Sequence, residues 1–452
     1  AWDPTALSGQ EVLSRARQCA ALLASEGVAS GSKVLLGEAT ELASVVALLA
    51  VWSLDAIALP EERGIAEAED KQLKEELRPD CVLVAAGPDA WRASRMDTGH
   101  GAATPPCGTA IIKLTSGSTG GARGVAVGAA QLLADGTHIV RGMGIRPDDV
   151  NLGVIPLAHS YGLGNLMMPL VLQGTPLLLL GEAHPATLAQ ALSWPEPCVF
   201  PGVPALFDLL SQLPDGSVKP QGLRLCISAG APLRSATARS FRRRIGVPVR
   251  AFYGASECGG ISYDASPAGT AAEHREGCVG TTLPGVEIRL EGEEGRVVVR
   301  SDAVAFDYYP AGRSVGEGEF TDGCFKTGDM GRLEGELLHL TGRLGAMINV
   351  AGRKVNPREV ESVLLSVPGI GDAAVLGVPD AARGEALVAC LVSRQALSRE
   401  TVMSHLRQEL AEHKLPRRLI FLEEIPRNPR GKIDRRALLE ALGTFKPTAS
   451  GR

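Results

Sequence analysis

The chain has 452 residues, enough for two or three domains each with its own core. Hydrophobic residues make up 45% and charged residues 21%, the balance of a soluble globular protein. A net charge of −5 argues against a general nucleic-acid binder, and nine scattered cysteines without a C-x-x-C pair read as reduced, mostly buried side chains of a cytoplasmic protein.

Ala1-Trp2-Asp3-Pro4 has neither the basic nor the apolar region of a secretory signal. Residues 10–27 carry apolar side chains at helical spacing and stop at a glycine. A short buried strand at Lys33 to Leu36, a helix over about 40–54 and a strand at Ala56 to Leu59 follow. Helix–strand alternation predicts a mostly parallel sheet covered on both faces, continued by strands at 150–155, 175–180, 198–200 and 223–228. The least polar window, Tyr161 to Leu180, is broken by glycines and prolines, so it reads as a helix, a turn and a buried strand, with no membrane span. From about 277 to 340 the pattern becomes short strands with turns (VEIRL, GRVVVR, ELLHL), a small antiparallel barrel or sheet. Beyond Gly342 a compact α+β unit follows, with helices near 357–367 and 399–412, strands near 372–378, 386–393 and 419–422, and a helix from 434. The expected fold is thus α/β. A large N-terminal domain over 1–341 includes a β subdomain at about 277–340, a junction covers 342–346, and a small C-terminal domain covers 347–452.

Chemistry concentrates first in Leu114 to Val125, LTSGSTGGARGV, between a predicted strand and a predicted helix. Glycines let backbone N–H groups turn toward an anion, Thr115, Ser116, Ser118 and Thr119 add hydroxyls, and Arg123 adds positive charge, as a polyphosphate cradle requires. Neither G-x-x-x-x-G-K-[ST] nor G-x-G-x-x-G is present. Four further segments stand out in order: Pro156 to Gly162 (PLAHSYG), the pair SAGAP at 228–232 and YGASE at 253–257, Lys326-Thr327-Gly328-Asp329 with Gly342-Arg343, and PRNPRGKID at 426–434. Taken singly, each has an ordinary reading: a packed histidine, a turn beside a sheet, a β-turn, and a solvated basic face with eight Lys or Arg against three Asp or Glu over 414–436.

Taken together, in this order and at these separations, the five segments resemble those of the adenylate-forming enzymes: acyl-CoA synthetases, luciferases and nonribosomal peptide synthetase adenylation domains. The resemblance runs over essentially the whole chain, although Ala122-Arg123-Gly124 stands where Pro-Lys-Gly is usual and the N-terminal part is short. It implies an ATP site made by Thr115, Ser116, Gly117, Ser118, Thr119, Gly120 and Arg123. Gly230, Ala231 and Pro232 line the adenine slot, Tyr253 stacks on the base beside Gly254, and Asp329 and Arg343 meet the ribose. It makes Glu257 the Mg²⁺ ligand, places Ser256 at the α-phosphate, and puts His159 beside the acyl group. Tyr161, Gly162, Ala229, Ala255 and Gly259 then line the acyl pocket together with His159. Lys432 bridges the carboxylate and the α-phosphate. A mobile C-terminal domain swings about Gly345, and Gly352 and Arg353 approach the thiol tunnel.

The implied activity is ligation of an aryl or fatty acyl carboxylic acid to a thiol through acyl-AMP, with ATP, Mg²⁺ and coenzyme A as cofactors. A phosphopantetheine arm of a carrier protein is the alternative acceptor. No aspartate lies between Asn151 and Glu182 to pair with a substrate ammonium, which favours an acid without an α-amine. Two rivals stand outside the class. A kinase-type phosphotransferase would release ADP, and a silent binding relative would typically have lost Lys432 or Glu257, both of which are present.

Overall fold

The computed structural model describes residues 6–37, 41–62, 67–87, 90–96, 104–116, 122–181, 184–266, 274–310, 318–321, 323–344, 348–350, 353–380, 384–393, 395–427 and 433–444. By packing, the chain divides into two compact units, one of residues 1–291, 297–327 and 333–339, the other of 292–296, 328–332 and 340–452.

The first unit opens with helix Gly9–Ser25, started by a capping box in which Ser8 and Glu11 satisfy each other's backbone N–H. It buries Ala16, Cys19, Ala20 and Leu23, one stripe at helical spacing. Seven strands form the first sheet, in spatial order Asp307–Tyr309, Ala122–Gly128, Thr109–Ser116, Ile57–Pro60, Lys33–Leu36, Cys81–Ala85 and Trp91–Arg95. Its central strands Ile57–Pro60 and Lys33–Leu36 pair in parallel and are buried along their whole length, which matches the apolar runs Ile57–Pro60 and Val34–Leu36.

The second sheet runs Val286–Glu291, Arg296–Ser301, Cys324–Glu334, Leu337–Arg343, Cys278–Thr282, Gly259–Tyr263, Val249–Ala255, Leu223–Ser228, Cys198–Gly202, Val150–Gly153 and Leu177–Leu179, with Glu319–Thr321 added beside Cys324–Glu334. The half from Val249–Ala255 to Leu177–Leu179 is parallel, each strand returning through a helix. Phe200, Phe207 and Phe241, all fully buried, stack edge-on between this half and its helices, with ring centroids 5.5 and 5.1 Å apart. The antiparallel strands over 277–340 do not close into a barrel of their own. Cys278–Thr282 pairs with Gly259–Tyr263 on one side and Leu337–Arg343 on the other, so the sheet continues without a gap.

The second unit is a five-stranded sheet in the order Arg353–Val355, Ile348–Val350, Gly384–Ser393 and Ile370–Asp380, with Arg418–Leu422 parallel to Gly384–Ser393. Alternation in Ile370–Asp380 sends Ala373 and Val375 into a core with helices Pro357–Ser366 and Arg399–Glu409, and Ala374 and Leu376 into another with helix Arg435–Thr444.

Candidate active site

The glycine-rich stretch is a hairpin. Strand Thr109–Ser116 runs antiparallel to Ala122–Gly128, with Thr115 opposite Arg123 and Ser116 opposite Ala122. Helix Ala129–Met143 begins near Gly128, where the helical pattern resumes, but a complete second strand that the sequence reading lacked precedes it. The cause is local, since A-R-G-V-A-V-G alternates at period two and Gly124 lets the strands close. A Cβ there would lie 2.1 Å from Ile112 Cγ2. Gly117, Ser118, Thr119 and Gly120 lie outside the described residues, as do the side chains of Thr115, Ser116 and Arg123.

Three of the other segments converge by topology. Pro156 to Gly162 follows strand Val150–Gly153, SAGAP follows Leu223–Ser228, and YGASE ends Val249–Ala255, so all three sit at the carboxyl ends of parallel strands of one sheet. In open α/β sheets that edge is where ligands bind. His159 caps the short helix Ser160–Gly162, and its Nδ1 lies 3.3 Å from Glu62 Oε1. Ser160 Oγ donates to Ser256 Oγ at 2.8 Å, joining the histidine segment directly to YGASE. The helix then widens into a π-turn over Leu163–Met167, a feature enriched at functional sites. Tyr161 reaches the main chain of two strand ends, donating to Ile227 O at 2.9 Å with Gly202 O at 3.3 Å. Burial pushes its phenol well above the ordinary range, so it remains a donor.

Ser256 and Glu257 occupy the turn of the hairpin formed by Val249–Ala255 and Gly259–Tyr263. Glu257 Oε1 accepts from the Tyr308 hydroxyl at 3.1 Å, and its carbonyl accepts the Ala305 N–H at 2.8 Å. Tyr253 lies in the strand, 8% exposed and opposite Ser262, while Gly254 is exposed and must lack a side chain, since a Cβ would meet the Gly259 carbonyl at 2.7 Å. Ala255 stands opposite Gly259. In SAGAP, Ala229 is buried and bonded to Gly202 O, whereas Gly230, at φ +82°, and Pro232 are exposed and Ala231 is half-buried. Two expected pocket glycines face protein instead. A Cβ on Gly162 would stand 2.2 Å from Pro156 O, and one on Gly259 would stand 2.3 Å from Asp135 Oδ1.

In the second unit, Arg343 Nε lies 2.9 Å from Asp329 Oδ1, with Asp329 8% exposed. Arg358 belongs to the same cluster. Burial lowers its guanidinium's affinity for a proton, and the Asp329 carboxylate opposes that shift. Asn356 caps helix Pro357–Ser366 and donates to the Thr341 carbonyl, pinning the strand that carries Arg343. Gly345, Gly352 and Lys432 lie outside the described residues. Arg353, described in its backbone, pairs with Val350.

Among the described residues no group of three or more His, Cys, Asp or Glu side chains is gathered to hold a metal. Glu257 alone offers a hard carboxylate at the turn, which fits Mg²⁺ carried mainly by phosphate oxygens. No helix of the described residues is long and apolar enough to cross a membrane. Sequence reasoning missed Glu62, Ser160, Tyr308 and Arg358. Only Ser160, within the histidine segment, carried a local signal.

Residues 1–309 match the family model for AMP-binding enzymes, and residues 359–432 match that for the AMP-binding enzyme C-terminal domain. The chain is similar to a sulfoacetate–CoA ligase of Cupriavidus necator, 30% identical, over 82% of this chain and 76% of that protein. It is 27% identical to the long-chain-fatty-acid–CoA ligase FadD13 of Mycobacterium tuberculosis, over 96% and 92% of the two chains. Its fold superposes on an ATP-bound RpMatB-BxBclM chimera with TM-score 0.85, 25% identity and coverage of 96% and 93%. The o-succinylbenzoate CoA synthetase of Bacillus subtilis, in complex with an acyl-adenylate, shares the fold at TM-score 0.81 and 22% identity, over 99% and 95% of the two chains. A fold match over both units, on top of the motif order, places the chain: it belongs to the AMP-binding enzyme family.

Proposed function

We propose that the protein is an AMP-forming acid–thiol ligase. A carboxylate oxygen of the substrate attacks the α-phosphorus of MgATP, the bond to pyrophosphate breaks, and acyl-AMP forms. A thiolate then attacks the acyl carbonyl and AMP leaves. The observation that carries this reading is the convergence of the histidine, SAGAP and YGASE segments on one sheet edge, the first and last of them bonded through Ser160 and Ser256. Relatives named as CoA ligases support coenzyme A as the thiol.

In this reading Glu257 would hold Mg²⁺, which would supply charge neutralisation for the departing pyrophosphate. Ser256 donates toward the α-phosphate, and the glycine-rich hairpin with Arg123 cradles the β- and γ-phosphates. The exposed Gly230 to Pro232 segment offers backbone for the adenine beside Tyr253, and the Asp329–Arg343 pair meets the ribose. His159, oriented by Glu62, borders the acyl group together with Tyr161, Ala229 and Ala255. Lys432 supplies the ammonium of the first step. Gly345, in a junction over 342–346 between domains 1–341 and 347–452, is the pivot that exchanges it for the Gly352–Arg353 loop in the second. The substrate is an aryl or medium-chain acid without an α-amine, and a reduced, cytoplasmic location suits nine free cysteines.

The test is a panel of carboxylic acids assayed for pyrophosphate release, with coenzyme A and with hydroxylamine as acceptors. Pyrophosphate and AMP with at least one acid are expected. ADP as the nucleotide product would identify a kinase and overturn the reading.

A further inference from the structure

Asp135 is a carboxylate that the sequence motifs do not include. It lies in helix Ala129–Met143, only 4% exposed, and burying a charge is costly unless it is held. What holds it is backbone of the site: its Oδ1 accepts the Gly260 N–H at 2.8 Å. Three glycines surround the group. Gly260 donates to it. Gly259, at φ +69°, has its Cβ position 2.3 to 2.9 Å from the carboxylate, and Gly164 of the π-turn has its Cβ position 3.4 Å from Oδ2. The carboxylate thus occupies the space that a side chain on Gly259 would need, while Gly164 lies beside it at van der Waals distance. It bonds the segment just after the Ser256–Glu257 turn and lies next to the π-turn whose upstream end carries Ser160.

We propose that Asp135 is a positioning residue for the acid-activating step, a wedge that holds the Ser256–Glu257 turn and the helix after His159 in one register. It makes no contact with the reacting atoms and acts through Gly260 and Gly164. Lys113, also buried at 3% exposure, lies in strand Thr109–Ser116. Burial depresses its ammonium pKa, and Asp135 is the first of the negative groups that oppose this, followed by Cys258 and Glu257. The wedge matters because Ser160–Ser256 and Tyr308–Glu257 are single hydrogen bonds, and a shift of about 1 Å in the turn would break both.

The inference rests on the ligase reading above, and its test separates the two. Asp135→Asn keeps an acceptor of the same size for Gly260. Asp135→Glu keeps the charge but pushes it one methylene into the glycines, and Asp135→Ala removes acceptor and volume. Pyrophosphate release should fall at least tenfold in kcat for Ala and Glu, with KM for ATP changed less than about threefold, and Asn should recover kcat to within about threefold of wild type. Thioester formation from supplied acyl-adenylate should change less than adenylation in all three. Glu and Asn equally active, or a folded Ala variant with wild-type kcat, would overturn the proposal. If Ala fails to fold, the Glu and Asn pair decides. Wild-type protein that releases no pyrophosphate with any acid would defeat the ligase reading, and Gly260 amide exchange would then test the wedge. Protection in wild type and Asn but not in Glu supports it, and equal protection in all three refutes it.

Discussion

Tyr308→Phe tests the proposed Mg²⁺ role of Glu257 through its support. The Tyr308 hydroxyl donates to Glu257 Oε1 at 3.1 Å, and the residue is only 4% exposed. Its ring packs against Phe320 at a centroid distance of 5.1 Å and an interplanar angle of 65°, a contact that phenylalanine preserves. Burial first, and then the neighbouring Glu257 charge, push the phenol well above its ordinary range, so it donates at any working pH. A hydrogen bond to a charged acceptor contributes about 1.5–3 kcal/mol, and 1.36 kcal/mol is tenfold in rate or affinity. If the whole bond serves to hold Glu257 toward Mg²⁺, the variant loses roughly ten- to a hundredfold in kcat or in Mg²⁺ affinity. Stability should change less, by about 1 kcal/mol or under, because half-exposed Glu257 regains water. Pyrophosphate release across a Mg²⁺ titration, beside a thermal melt, gives both numbers. A Mg²⁺ curve and kcat within twofold of wild type would show that Tyr308 does not orient the ligand and that Glu257 is held by other means.

Lys432→Ala should reduce adenylation by orders of magnitude while leaving thioester formation from preformed acyl-adenylate largely intact. Equal loss in both half-reactions, measured separately, would remove the assigned role. Gly162→Ala should act on stability rather than specificity, because its Cβ would stand 2.2 Å from the Pro156 carbonyl. A loss of roughly 1–3 kcal/mol, seen as a melt several degrees lower, is expected with the acid preference unchanged. Cysteine labelling with iodoacetamide at pH 8 should mark exposed Cys107 first. Burial raises the Cys19 and Cys198 thiols to about 12 and Cys390 to about 11, which leaves little thiolate to react. Peptide mapping that finds Cys198 or Cys390 alkylated as fast as Cys107 would contradict their burial.

Elements with strong periodicity were legible in the sequence. Strands Lys33–Leu36 and Leu223–Ser228 have the bounds that their apolar runs suggest, and from Pro357 onward helices and strands follow in the order read, whereas the short strands Ile348–Val350 and Arg353–Val355 before them were missed. The hairpin at Ala122–Gly128 was not, because a seven-residue alternation rich in glycine and alanine carries little strand signal beside the helical pattern that follows. Helix Glu67–Leu77 and strand Trp91–Arg95 were missed for a related reason: the first is highly polar, and the second lies at a sheet edge with no fully buried residue. Within the candidate site, motifs located the segments but not the contacts between them. Glu62 with His159, Tyr308 with Glu257 and Asp135 with Gly260 lie far apart in the chain, and only the sheet order brings them together.

The first sheet borrows its outermost strand from late in the chain. Asp307–Tyr309, which follows strands of the other sheet, pairs with Ala122–Gly128, and Lys33 Nζ donates to the Tyr309 hydroxyl at 3.0 Å across 276 positions. While the polypeptide is being made, the glycine-rich hairpin therefore has an open flank from the moment residue 128 emerges until residue 309 does. At about 5–20 residues per second this lasts roughly ten to thirty-five seconds, with unpaired N–H and C=O groups offered to any neighbouring nascent chain. The glycine-rich hairpin is thus an early segment that is sealed late. Slow translation upstream of residue 307 prolongs the exposure, whereas a pause just after residue 309 has cleared the ribosome gives the edge time to close before the C-terminal unit is synthesised.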